Sequence, residues 1–305
     1  MRTFVRNVIL FLLPVVVLMA AMEYVQRQLP NEYTYRKTLF EQRLPRIETI
    51  ILGSSHTYMG VNPALLTDKA FNMAYTAQTL YFDDWVLSRY MDQMPRLKTV
   101  IIPVSYPSYG AESNLLPGDY NRSNHFHLFY GASKFVNYTK APHYSWMALF
   151  TVKGSVERTI DYYHRGKPLV EADTNGWYGT DDHRELKKNA KDSGTFHDKF
   201  YAEKVIPVNT ERVAHMLQLC RAKGVRPLLI STPMYSGYFQ HTQPARYDRM
   251  VAITDSLASV YDVKYYNFSK DTTYSDGDFF DSNHLNRTGA GKFTAVLDSI
   301  IMAGK

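Results

Sequence analysis

The stretch Thr49-Ile50-Ile51-Leu52-Gly53-Ser54-Ser55-His56 decides how this chain is read. A short run of apolar and β-branched residues suits a strand covered on both faces. With Glu48 before it, the run predicts a first strand over Glu48–Leu52. It stops at a glycine, two hydroxyls and an imidazole. Serines in such a place have two uses: they cap the helix that follows, or they present a nucleophile above the edge of a sheet.

Outward from this stretch, short apolar runs alternate with helical patterns. Ala70–Met73 and Lys98–Ser105 read as the second and third strands, and Val225–Thr232 and Val263–Asn267 as the fourth and fifth. Pro63 opens a short helix, and Tyr81, Trp85, Leu87, Tyr90 and Met91 recur at helical spacing until Pro95. A helix from Asn209 is closed by Gly224, another starts near Ala245, and an amphipathic helix from Arg287 or Thr288 ends the pattern. This alternation predicts an α/β fold, a flavodoxin-like doubly wound parallel sheet with helices on both faces and right-handed crossovers. Ligands then bind beyond the carboxyl ends of the strands, which is where Ser54 and Ser55 lie. Between about 106 and 206 the alternation breaks into a segment rich in Tyr, His, Asn and Gly. A structureless loop of that length does not suit a compact domain. We therefore expect a long inserted subdomain or lid, with helix over Ser133–Val136 and Ala148–Tyr163.

Composition narrows the class. The 305 residues are 45% hydrophobic and 21% charged, as in a folded globular chain, and the net charge of +6 is spread without a dense Lys/Arg run. No nucleic-acid partner is expected. The single cysteine, Cys220, sits in a helical pattern and reads as a small core hydrophobe. The 24 tyrosines, many between Tyr106 and Tyr201, suit a wet recognition surface such as a carbohydrate site, although ordinary core and surface positions explain any one of them. His125, His127, Asp181 and His183 carry ligand chemistry but no supporting spacing, so ordinary loop hydrogen bonds are expected and no metal or other cofactor is.

At the amino end, Arg2 and Arg6 precede an apolar run from Val8 to Met22, followed by Glu23. Phe4 and Val5 lengthen the run towards the ~20 residues a membrane span needs, with Arg6 reaching back to the headgroups. Positive charges before the run favour an amino terminus inside. A cleavable signal has a similar pattern, but no clear Ala-x-Ala arrangement stands around Ala20 and Ala21. The expectation is an uncleaved signal anchor over residues 1–28, a juxtamembrane connector over 29–46 and a domain over 47–305 on the far side of the membrane.

The second polar cluster is Phe279–Asn286, where Asp281 and His284 are three residues apart. In a helical turn that spacing puts both side chains on one side. A carboxylate beside an imidazole fixes its tautomer and stabilises its protonated form, so the histidine can take a proton from a serine at the end of the first strand.

Together these blocks resemble the SGNH/GDSL hydrolase superfamily. Ile51–His56 looks like its first block, a hydrophobic strand then Gly-Asp-Ser, with Ser54 in place of the aspartate. Asp281–Phe293 looks like its last block, Asp-x-x-His before a glycine-bearing helix start. The resemblance implies Ser55 as nucleophile, His284 as general base and Asp281 as its orienting carboxylate. It implies an oxyanion hole from the Ser55 N–H, a second-block glycine N–H and a third-block asparagine. Ala74 stands where we place that glycine, and Ser105 is the substitute for the missing asparagine. The plan of one span followed by such a domain resembles membrane-anchored, extracytoplasmic members that act in O-acylation of cell-surface polymers. That implies an esterase or O-acyltransferase working through an acyl-Ser55 intermediate on cell-envelope carbohydrate, with a membrane-bound acyl-donor protein as partner. It also implies a single-pass protein of the inner (cytoplasmic) membrane whose domain faces the periplasm or exterior. The missing aspartate and asparagine motivate a second reading, a non-catalytic glycan-binding subunit of an envelope polymer-modifying complex.

Overall fold

The computed structural model describes residues 1–112, 125–134 and 152–304. The chain forms two compact units, one of Met1–Lys37 with Pro117–Glu171 and one of Thr38–Leu116 with Ala172–Lys305.

In the first unit, α1 (Arg2–Gln28) runs without a break through Pro14. Its side chains from Phe4 to Leu18 are exposed on every face. It is the one helix among the described residues long and apolar enough to cross a membrane. Past the apolar run, the Gln26 amide donates to Ser155 O at 3.0 Å and Thr159 Oγ1 at 2.9 Å, and so joins α1 to a later helix, Val152–Tyr163. Within residues 29–46, expected as a connector, the chain forms α2 (Glu32–Arg43). Asn31 starts it by accepting the Thr34 N–H at 2.9 Å. The end of α2, from Thr38, belongs to the second unit, where Phe40, fully buried, packs against the rings of Phe71 and Tyr90.

The second unit holds a five-stranded parallel sheet: β1 (Thr49–Ile51), β2 (Ala70–Asn72), β3 (Thr99–Pro103), β4 (Arg226–Ser231) and β5 (Tyr265–Asn267). Their order is β2-β1-β3-β4-β5, the flavodoxin-like doubly wound order. Ile51 pairs with Asn72 on one side and Ile101 on the other, and Pro103 pairs with Ile230. Ile50, Ile51, Val100, Ile101, Ile102, Leu229 and Ile230 are fully buried, as strands with helices over both faces must be. Counting on from α2 and including Val152–Tyr163 as α5, the helices of the sheet-bearing unit are α3 (Ser55–Gly60), α4 (Leu80–Tyr90), α6 (Leu186–Lys199), α7 (Ile206–Lys223), α8 (Pro244–Tyr261) and α9 (Arg287–Met302). Helix α7 starts with Pro207 in its first turn and stops at Gly224, whose φ of +65° is the left-handed cap a glycine supplies. Cys220 on that helix is wholly buried, and burial pushes its thiol up to about 12, so it packs as an inert hydrophobe.

Parts of the segment expected as one insertion over 106–206 are described. Residues 106–112 and 172–206 belong to the sheet-bearing unit. The Trp177 indole donates to Met59 O at 2.8 Å, and the Ala202 N–H donates to Gly110 O at 2.9 Å. Within this part α6 forms a helix that the aromatic, glycine-bearing sequence did not announce. Of the two helices expected in the insertion, the second is seen from Val152 and its start at 148–151 lies outside the described residues. Ser133 and Lys134 are not helical, and 135–136 lie outside the described residues.

Candidate active site

The site grows from the turn after β1. Gly53 has φ +114°, and a Cβ there would run into the Pro103 ring and the Thr57 hydroxyl, so the turn admits only glycine. Ser54 then takes the position before α3 with no side-chain capping bond, and Ser55 is the first residue of that helix. The capping use of these serines is therefore not the one adopted. Thr57 instead holds the turn, its hydroxyl donating to Leu52 O at 2.7 Å.

From the other end of the chain comes a tight antiparallel pair, β6 (Phe279–Asp281) and β7 (His284–Leu285). Asp281 and His284 face each other across it, so the helical turn expected from their spacing is a two-residue β-turn. The turn is closed by Asp281 itself: its Oδ1 accepts the N–H groups of Asn283 at 3.1 Å and His284 at 3.0 Å. The same oxygen accepts from His284 Nδ1 at 2.7 Å. That leaves Nε2 as the acceptor for the Ser55 hydroxyl, 2.7 Å away. Serine, imidazole and carboxylate thus form one continuous hydrogen-bonded line across 229 residues of sequence. Burial pushes the Asp281 carboxyl up, but the His284 hydrogen bond and charge, the Asn283 N–H and Arg184 outweigh it and hold the pKa below the ordinary carboxylate range.

Two further imidazoles approach. The His56 ring lies 5.3 Å from that of His284 and 6.5 Å from that of His197. Burial, then the neighbouring imidazoles, lowers the pKa of His56 well below its usual value, and burial first among several causes takes His197 to about 4. Both are neutral near pH 7. Of the three, His284 is the one hydrogen-bonded to a carboxylate. The Asn283 amide donates to His56 Nε2 at 3.1 Å, and His197 Nδ1 pairs with the Tyr238 hydroxyl at 2.6 Å.

These groups open into a cavity of about 450 Å³, which Ser55, His284 and Asp281 share with the loops after β2 and β3 and with α6. Ser105 lies on its wall, its hydroxyl 3.0 Å from that of Ser108, which also accepts the Ser105 N–H at 2.8 Å. Ala74 does not. It is fully buried behind the wall, its N–H donated to Asn72 Oδ1 at 3.0 Å. The position with a glycine-like backbone is three residues later: Ala77 has φ +51° and lines the cavity. An alanine carries no sign in sequence that it adopts this left-handed conformation, which costs it about 1–2 kcal/mol. Of the side chains considered for a metal, His183 Nδ1 donates to Phe279 O at 3.0 Å and Asp181 pairs with Arg287 at 3.1 Å. Among the described residues no group of three His, Cys, Asp or Glu side chains is placed to hold a metal ion.

Asp83 was missed at the sequence level, although an acid inside the apolar stripe of α4, between Leu80 and Leu87, was the available signal. Its side chain is buried. One oxygen accepts both the Gly53 N–H at 2.8 Å and the Gln78 amide at 2.6 Å, tying the Ser55 turn to the Ala77 turn. Burial raises its pKa to about 7, against the lowering effect of those two hydrogen bonds. An acid raised in the folded state binds its proton more tightly there than in the unfolded chain. Stability is then complete below the unfolded value of about 4 and falls as pH rises towards 7. Asp83→Asn keeps the acceptor and removes the buried charge. Thermal melts of the two proteins should agree near pH 4, and the variant should melt higher at pH 8. Equal melting temperatures at pH 8 would refute the buried charge.

No family model matches this chain, and no curated protein matches it. Solved structures do. A provisionally assigned acylhydrolase of Bacteroides fragilis is 9% identical over 88% of this chain and 95% of that one, with a TM-score of 0.45. A GDSL-like lipase of Bacteroides thetaiotaomicron is 10% identical over 90% of this chain and 100% of that one, also with a TM-score of 0.45. The chain's own features are more specific: a parallel sheet in the order β2-β1-β3-β4-β5, a Gly-Ser-Ser turn leaving its first strand, and an Asp-x-x-His pair just ahead of its last helix. The sheet-bearing unit is a doubly wound parallel sheet that brings together, at one cavity, the two blocks that resemble those of the SGNH/GDSL hydrolases.

Proposed function

We propose that this protein is a serine-dependent acyl-ester hydrolase or O-acyltransferase. The observation that carries the reading is the line from Ser55 Oγ to His284 Nε2 and from His284 Nδ1 to Asp281, each step 2.7 Å, opening into a cavity. Ser55 Oγ attacks the ester carbonyl while its proton passes to His284 Nε2. The imidazolium beside Asp281 then returns that proton to the departing alcohol oxygen, leaving an acyl-Ser55. Water or a sugar hydroxyl next gives a proton to His284 and takes the acyl group, and the proton goes back to Ser55. The oxyanion donors are the Ser55 N–H and, in place of Ala74, the turn at Ala77, with the Ser105 hydroxyl as the third.

The exposed apolar α1 supports a single-pass anchor in the inner membrane, with the domain outside the cytoplasm. In that setting the substrate is an acylated or acylatable cell-envelope carbohydrate, supplied by a membrane-bound acyl donor. The test is covalent. A serine-reactive fluorophosphonate should label the full chain at one residue, identified by mass spectrometry as Ser55. Unlabelled protein would instead favour a non-catalytic glycan-binding subunit.

A further inference from the structure

The cavity constrains the acyl group, and this inference rests on the acyl-transfer reading above. Its volume is about 450 Å³. At roughly 30 Å³ for each heavy atom, the share a water takes in the liquid, the three of an acetyl group fill about 90 Å³, so the cavity has room for a larger acyl group beside the alcohol part of the ester. Leu80, Pro107, Ala111, Phe196 and Phe200 line it together with Ser55 and His284. Phe196 and Phe200 pack at 4.8 Å between ring centroids, yet Phe196 remains 41% exposed, a large aromatic surface left uncovered beside the site. The wall is held firmly. Asn209 Nδ2 donates to Tyr109 O and Ala111 O at 2.9 and 2.8 Å, and the buried Arg212–Glu112 ion pair at 2.7 Å lies next to it.

Charge points the same way. Among the described residues the acids on the wall are Asp83, Asp192 and Asp281, and the one arginine, Arg184, is exposed with its guanidinium 4.6 Å from the Phe280 ring centre. His56 and His197 are neutral near pH 7, and no lysine among the described residues lines the cavity. Among the described residues Arg184 is outnumbered by Asp192 and Asp281, with Asp83 a third acid whose pKa lies near 7, so the wall carries no excess of positive charge for an anionic acyl group.

We infer that the site selects an uncharged acyl group larger than acetyl, a medium-length aliphatic or an aromatic acyl, seated against Leu80, Pro107, Ala111, Phe196 and Phe200.

The test is a series of p-nitrophenyl esters hydrolysed by the full chain in detergent: acetate, butyrate, octanoate and the anionic hemisuccinate. We expect kcat/KM for octanoate to exceed that for acetate about tenfold or more, since each methylene accepted by an apolar pocket adds discrimination. The hemisuccinate should fall below the butyrate. In Ala111→Phe, which fills the wall, the octanoate-to-acetate ratio should drop towards one. The wild-type series decides the matter even if that variant does not fold. Acetate preferred or equal to octanoate, or hemisuccinate equal to butyrate, in a protein still labelled at Ser55, overturns this inference and leaves the acyl-transfer reading intact. No turnover of any ester together with no label on Ser55 overturns both.

Discussion

Ser55→Ala should lower kcat for a small ester by about 10⁴-fold or more, to the level that binding and oxyanion donors alone sustain. The hydroxyl is the group that takes the acyl in the proposed step, and its removal takes away the proton that His284 Nε2 accepts from it. The change is small in volume and lies at a cavity wall, so the fold should persist. A second measurement sharpens the point. His284→Ala should cost as much as Ser55→Ala, and the double variant should be no worse than either, because groups that act as one unit do not contribute additively. Losses that multiply in the double variant would mean that the two side chains act independently, and the 2.7 Å contact between them would have no part in turnover.

Asp281→Asn is expected to follow with a loss of about 10⁴ in kcat. The amide occupies the same space and keeps an oxygen for the N–H groups of Asn283 and His284, so the β6–β7 turn survives. What goes is the charge that stabilises a protonated His284 and fixes its tautomer. The same substitution has a stability signature. The Asp281 pKa is depressed in the folded protein, so the carboxylate contributes stability above its unfolded value and loses it as pH falls through the folded one. The variant should therefore melt below wild type at neutral pH, with the gap closing in acid. A variant that retains within tenfold of wild-type kcat would remove Asp281 from the chemistry.

Much of the sheet was legible in the sequence. β1, β3 and β4 are runs of Ile, Val and Leu bounded by Gly or Pro, and a strand buried on both faces has little other choice of composition. The Gly-Ser-Ser and Asp-x-x-His blocks were legible for a related reason: at these positions the backbone and the hydrogen bonds leave room for few residue types. Gly53, with its φ of +114°, is the clearest case. Elsewhere local pattern misled. Asp281 and His284 suggested a helical turn because a spacing of three fits one, but a two-residue turn between strands brings the same two side chains together. Helices α2 and α6 escaped notice because their apolar residues are few and become informative only against partners such as Phe71 and Tyr90.

What the sequence determined by itself was the alternation of the five sheet strands with most of their helices, the apolar amino-terminal helix, and the residue types poised at the strand ends. Each follows from short-range physics: side-chain periodicity, β-branching, and the conformations only glycine tolerates. What only the tertiary structure decided was which N–H groups remain available, that Ala77 rather than Ala74 turns towards the cavity, that Asp83 bolts two turns together from the middle of a helix, and that α6 supplies an aromatic wall. These depend on the meeting of segments far apart in the chain, and hydrogen-bond partners and burial at such meetings are set by packing, which no local window of sequence contains.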